Sequence, residues 1–126
     1  MTEMKQCILL IEDDKDMAKL VTRVLKKEGF AVVNAYDGEE GFNKMKEAKP
    51  DLVITDIMMP KLDGRDLLKK AKADPDIKDI PILVLSAKDQ QWDRELGLQL
   101  GAVEYIEKPL EVIKLLRQIR NILDKK

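Results

Sequence analysis

Five short apolar runs, each followed by a longer stretch with helical spacing, set the limits on what this chain can fold into. The runs are Cys7–Ile11, Ala31–Ala35, Leu52–Asp56, Ile82–Ser86 and residues 104–106. Each is about five residues long and bounded by polar or turn-forming residues, as expected of buried strands. Between them the period changes. Met17, Leu20, Val21, Val24 and Leu25 form an i, i+3, i+4 stripe that Gly29 can stop. Asp37-Gly38-Glu39-Glu40 has the form of a capping box before Phe42 and Met45. Asp63 can cap a helix bearing Leu67, Leu68 and Ala71, and Asp89 one that passes Trp92, Leu96 and Leu100 to stop at Gly101. The last helix carries Val112, Ile113, Leu115, Leu116, Ile119, Ile122 and Leu123. Residues 73–81, with two prolines, read as a surface loop.

Strands joined by helical crossovers run parallel, with helices on both faces. The expected fold is therefore α/β, a (βα)5 doubly wound sheet of five parallel strands with right-handed crossovers. The 126 residues suit one domain spanning residues 1–126. Apolar residues make up 44 %, enough for a core, and the 37 % that are charged exceed the usual quarter. A net charge of −1 with both signs scattered argues against direct nucleic-acid binding, which needs a basic face. Nothing approaches the roughly 20 apolar residues of a membrane span, and Met1-Thr2-Glu3-Met4-Lys5 is no signal peptide. The lone Cys7, expected to be buried in the core, fits a reducing, cytoplasmic setting.

In open sheets of this kind the functional crevice lies at the carboxyl ends of the strands. Those ends carry this chain's chemistry. Glu12-Asp13-Asp14 follow the first strand, Asp56 ends the third, Ser86 ends the fourth, and Lys108-Pro109 follow the fifth. A carboxylate finishing an apolar strand is costly unless its charge is compensated. Asp14 and Asp16 are accounted for by helix capping. Glu12, Asp13 and Asp56 together are not, since three acids at one sheet edge repel. A hard divalent cation resolves the repulsion, and Mg²⁺ needs only one or two direct carboxylates among its oxygen ligands. Asp13 and Asp56 are the best direct ligands, with Glu12 acting through water. Lys108 and Ser86 add a cation and a rotatable donor suited to a phosphoryl oxygen. A nucleophilic carboxylate, a metal and two anion stabilisers make a site for holding a phosphoryl group on Asp56.

The chain resembles the response-regulator receiver domains of bacterial two-component signalling. The resemblance rests on Glu12-Asp13, Thr55-Asp56-Ile57-Met58-Met59-Pro60 with Asp63-Gly64, Leu85-Ser86-Ala87-Lys88, and Tyr105-Ile106-Glu107-Lys108-Pro109, in order on successive strand ends. It implies a flavodoxin-like sheet of order 2-1-3-4-5. It also implies that Asp56 accepts phosphate from a sensor histidine kinase or a phosphotransfer protein. Mg²⁺ would be bound by Asp13, Asp56 and the carbonyl of Met58, with Glu12 through water. Lys108 would pair with the acyl phosphate, ahead of a cis peptide bond to Pro109. Ser86 and Tyr105 would form the switch, with Tyr105 rotating inward and output passing through the fourth helix, fifth strand and fifth helix. Such a domain catalyses only its own phosphorylation and dephosphorylation. It acts on a downstream protein target or an attached output domain, and a phosphorylation-dependent homodimer is a further expectation. Ser86 stands where threonine is frequent and Glu12 where aspartate is. An apolar Met58 cannot position an attacking water, which implies slow self-dephosphorylation.

Three other readings fit less well. A phosphorylation-incompetent interaction module would not need the full set of acids, hydroxyl and lysine. An aspartate-nucleophile phosphohydrolase would carry a second acid at Met58. A flavin-binding protein would need a phosphate-cradling loop where Glu12-Asp13-Asp14 stand. Trp92, the single tryptophan, suits partial packing against a neighbouring helix.

Overall fold

The computed structural model describes residues 5–56, 63–86, 98–107 and 111–124. Chain order is β1 (Cys7–Ile11), α1 (Lys15–Lys27), β2 (Ala31–Ala35), α2 (Gly38–Ala48), β3 (Leu52–Asp56), α3 (Gly64–Ala73), β4 (Ile82–Ser86), β5 (Glu104–Glu107) and a C-terminal helix (Val112–Asp124). The strands form one parallel sheet of order β2-β1-β3-β4-β5, the flavodoxin-like arrangement expected from the sequence. The expected helix through Trp92 falls mostly outside the described residues; Leu98 and Gln99 are helical and Gly101 follows at φ 111°.

Alternation along each strand divides the core in two. Ile8, Leu10, Leu52, Ile54, Leu83 and Leu85 face α1 and the C-terminal helix, where they meet Val21, Leu25, Leu115 and Ile119. Leu9, Ile11, Val53, Ile82 and Val84 face the other way, onto Met45, Leu67, Leu68 and Ala71. Because β1, β3 and β4 are covered on both faces, they read as continuous apolar runs rather than alternating ones.

The caps follow the sequence signals. Asp14 accepts from the N–H groups of Asp16 and Met17 at 3.0 and 3.2 Å, and Asp63 accepts from Arg65 and Asp66 at 2.9 and 3.1 Å. At α2, Asp37 accepts from Glu40 N–H at 2.8 Å, while Glu40 reaches back to Tyr36 N–H at 2.6 Å. The reciprocal half of the capping box thus includes the residue before the cap.

Several packing expectations need correction. Leu20 is 53 % exposed and Ile113 75 %, so both leave the core stripes assigned to their helices. Cys7 is only partly buried, because β1 begins at the sheet margin before helix cover is complete. Residues 73–81 do more than cross the surface. Ile77 is buried with α3 and β4 side chains, and the turn around it is closed by bonds from Ile77 and Lys78 N–H to Asp74 O. Lys72 Nζ donates to the carbonyls of Lys78 and Ile80 at 3.0 and 3.3 Å, tying α3 to the same turn.

Candidate functional site

The chain passes from β1 to β2 on one side, then returns to place β3 on the other side of β1. This reversal is the switch point at which such sheets bind ligands. Two acidic segments meet there. Register sets Ile11 beside Thr55, so Glu12-Asp13 and Asp56 leave neighbouring strands at nearly the same level. One carboxylate oxygen from each of Glu12, Asp13 and Asp56 lies within 4.8 Å of the others.

Their surroundings differ. Glu12 is 1 % exposed and Asp56 5 %, whereas Asp13 is open to solvent. The backbone of Glu12 continues the sheet, with its N–H donating to Ala35 O at 3.0 Å. Its Oε1 accepts from Asp14 N–H at 3.2 Å, which turns the side chain back over the strand end. Asp14 therefore serves the site indirectly, as the residue that both starts α1 and orients Glu12. The Thr55 hydroxyl, fully buried, donates to Asp56 O at 3.0 Å. This contact was not foreseen, although a hydroxyl inside an otherwise apolar run is the signal that could have revealed it.

Two buried carboxylates and an exposed one, all hard oxygen donors, fit a small divalent cation that keeps several waters. Nitrogen or sulfur ligands are absent from this group, which disfavours the softer transition metals. Cys7 offers no competing nucleophile. Burial first, and Asp51 second, push its thiol above the ordinary range, which suppresses the reactive thiolate.

Of the remaining expected site residues, Ser86 ends β4 with its backbone opposite Glu107 of β5. Its side chain, and all of Met58, Lys88, Lys108 and Pro109, lie outside the described residues. Tyr105 is 8 % exposed and packed in the apolar cluster with Ala71, Ala102 and Leu100. Its ring is thus already inside in this structure.

Residues 8–120 match the response regulator receiver domain family. The chain belongs to that family. It is 44 % identical over 112 residues to the uncharacterized transcriptional regulatory protein YcbL of Bacillus subtilis, covering 89 % of this chain and 48 % of that protein. It is 38 % identical over 120 residues to the alkaline phosphatase synthesis transcriptional regulatory protein PhoP of the same organism, covering 95 % and 49 %. The chain therefore spans about half the length of these relatives. Among solved structures, the receiver domain of the sensor histidine kinase PA1611 from Pseudomonas aeruginosa superposes with a TM-score of 0.88 at 27 % identity. That match covers 96 % of this chain and 99 % of the other, and magnesium is coordinated in the active site cleft of that structure. The receiver is a signalling domain of two-component systems. Among its described residues no helix is long and apolar enough to cross a membrane.

Proposed function

We propose that this receiver is the phospho-acceptor of a two-component relay, with Asp56 taking the phosphoryl group from a histidine kinase or phosphotransfer protein. The observation that carries the reading is the convergence of Glu12, Asp13 and Asp56 carboxylates within 4.8 Å. Asp13 and Asp56 would hold Mg²⁺ directly together with the Met58 carbonyl, and Glu12 through water. The ion supplies charge neutralisation for the carboxylates and for the incoming phosphoryl oxygens.

The rest is the work of the chain. An Asp56 carboxylate oxygen attacks phosphorus as the phosphohistidine P–N bond breaks, and the imidazole leaves. Burial of Asp56 at the end of β3 supports this reading, since it would limit the directions from which the carboxylate can be approached. Lys108 would neutralise the acyl phosphate and Ser86 would donate to one of its oxygens, with Tyr105 coupled to Ser86 as the switch. The domain performs no turnover other than its own phosphorylation and dephosphorylation. We place it in the cytoplasm, acting without direct nucleic-acid contact on a downstream protein or an output domain. The output would pass through β5, the C-terminal helix and the helix before Gly101, where phosphorylation can also drive dimerisation.

The test is intact mass after incubation with acetyl phosphate, with and without Mg²⁺, on wild type and Asp56→Asn. A Mg²⁺-dependent gain of one phosphoryl group, lost in the variant, is expected. No gain in wild type under conditions where Mg²⁺ binds would make the domain a phosphorylation-independent interaction module.

A further inference from the structure

Among the described residues, three polar or charged side chains are buried: Glu12, Asp56 and Thr55. The first two belong to the acidic cluster, whereas the third has no part in the chemistry set out above. Thr55 immediately precedes Asp56 in β3 and is fully buried. By the alternation of the strand it faces the same way as Val53, towards Met45, Leu67 and Leu68. Register places Ile11 of β1 on one side of it and Val84 of β4 on the other, with Tyr105 of β5 beyond Val84. Those three neighbours all belong to the apolar cluster on that face. A valine would fill the place with the same branched shape and no oxygen to bury. Packing alone therefore does not account for a hydroxyl here.

The hydroxyl donates to the carbonyl oxygen of Asp56 at 3.0 Å. That oxygen belongs to the planar peptide group that carries the chain out of β3, so holding it sets the direction in which the backbone leaves the strand. We propose, resting on the phospho-acceptor reading above, that Thr55 is a positioning residue. Its hydroxyl locks the peptide after Asp56, and so keeps the Asp56 carboxylate and the Met58 carbonyl, two of the proposed direct metal ligands, in one fixed relation. Rotation about the Cα–C bond of Asp56 would otherwise change the separation of those two oxygens. Glu12 is anchored comparably on the neighbouring strand, with its N–H on Ala35 O at 3.0 Å and its Oε1 on Asp14 N–H at 3.2 Å. Such rigidity matters most for Mg²⁺, which demands near-ideal octahedral geometry, and less for Ca²⁺, whose coordination is flexible.

Titration calorimetry with Mg²⁺ and, separately, Ca²⁺ tests this on the unphosphorylated chain, in wild type, Thr55→Val and Thr55→Ser. Thr55→Val should lose about 10–100-fold in Mg²⁺ affinity, the range for residues that hold a metal ligand in place, and distinctly less in Ca²⁺ affinity. Thr55→Ser keeps the hydroxyl and should bind Mg²⁺ as the wild type does. Urea denaturation confirms that each variant is folded, and valine suits the apolar row between Ile11 and Val84. Wild-type Mg²⁺ affinity in Thr55→Val, equal losses for the two ions, or a Thr55→Ser variant as weak as Thr55→Val would each overturn the proposal. A wild type that binds Mg²⁺ yet gains no phosphoryl group from acetyl phosphate would refute the phospho-acceptor reading alone, and the variants' affinities would still decide the role of Thr55. A wild type that binds no Mg²⁺ would overturn both.

Discussion

Gly41 of α2 presses its Cα against the side chain of Ile11, so closely that a Cβ at position 41 would overlap the Ile11 Cδ1 and Cγ1 atoms. Ile11 is the last residue of β1 before Glu12-Asp13, so the helix is seated directly beneath the acidic cluster. Gly41→Ala should destabilise the fold by about 1–3 kcal/mol through overpacking, and Gly41→Val by more. Urea denaturation measures the loss. Mg²⁺ affinity should fall as well, because Ile11 leads directly into Glu12 and Asp13, two of the proposed ligands. Unchanged stability in Gly41→Ala would mean that Ile11 repacks freely.

Glu12→Gln keeps the shape of the side chain and removes one negative charge from the cluster. For a group acting on the ion through water, the expected cost is about 10–100-fold in Mg²⁺ affinity. Asp13→Asn, which removes the charge of a proposed direct ligand, should cost at least as much. Titration calorimetry with Mg²⁺ on the unphosphorylated protein checks both. Wild-type affinity in either variant would remove that carboxylate from the proposed site.

Lifetime is the next prediction. With methionine at position 58, the phosphorylated protein should persist for minutes or longer in Mg²⁺, and Met58→Asn should shorten that life by offering a group that can orient water. Decay of the wild type within seconds, followed by intact mass, would refute the assignment.

Lys46 of α2 and Asp74 at the end of α3 are 2.8 Å apart. The hydrogen bond from Lys46 holds the Asp74 carboxyl below its ordinary range, helped by Asp76 N–H, and the same bond raises Lys46. Asp74 then contributes stability above the pKa of an unfolded aspartate and loses it as pH falls through its own lowered value. Lys46 contributes below the pKa of an unfolded lysine and loses that as pH rises through its raised value. The difference in urea midpoint between wild type and Asp74→Asn should therefore be widest around neutrality and shrink towards both extremes. A difference that stays constant into acid would exclude the ion pair as its source.

The parallel strands, their limits and the acidic cluster were legible in the sequence because each rests on a strong local signal, whereas the strand order followed only from the resemblance to receiver domains. Runs covered on both faces are continuous, caps are acidic, and site residues cluster where strands end. Burial by helices was less legible. Leu20 and Ile113 have the right spacing, but spacing gives a stripe and not its width, and neighbouring helices decide how much of it is covered. Ile77 was missed because prolines on both sides mask an apolar plug inside a turn. Thr55 was quoted as part of a motif without a role, since only the structure shows its hydroxyl bound to the carbonyl of Asp56.

Glu12, Asp13 and Asp56 extend from β1 and β3, which lie second and third in the sheet and are sandwiched between the two halves of the core. Such strands open only when the whole fold opens, so their amides should exchange with solvent at the rate of global unfolding. The buried carboxylates of Glu12 and Asp56 are then held in place for as long as the sheet stays folded. Each tenfold excess of Mg²⁺ over its dissociation constant should add about 1.4 kcal/mol to the stability of the entire domain. With Mg²⁺ at the proposed site, the thermal transition would double as a cation electrode.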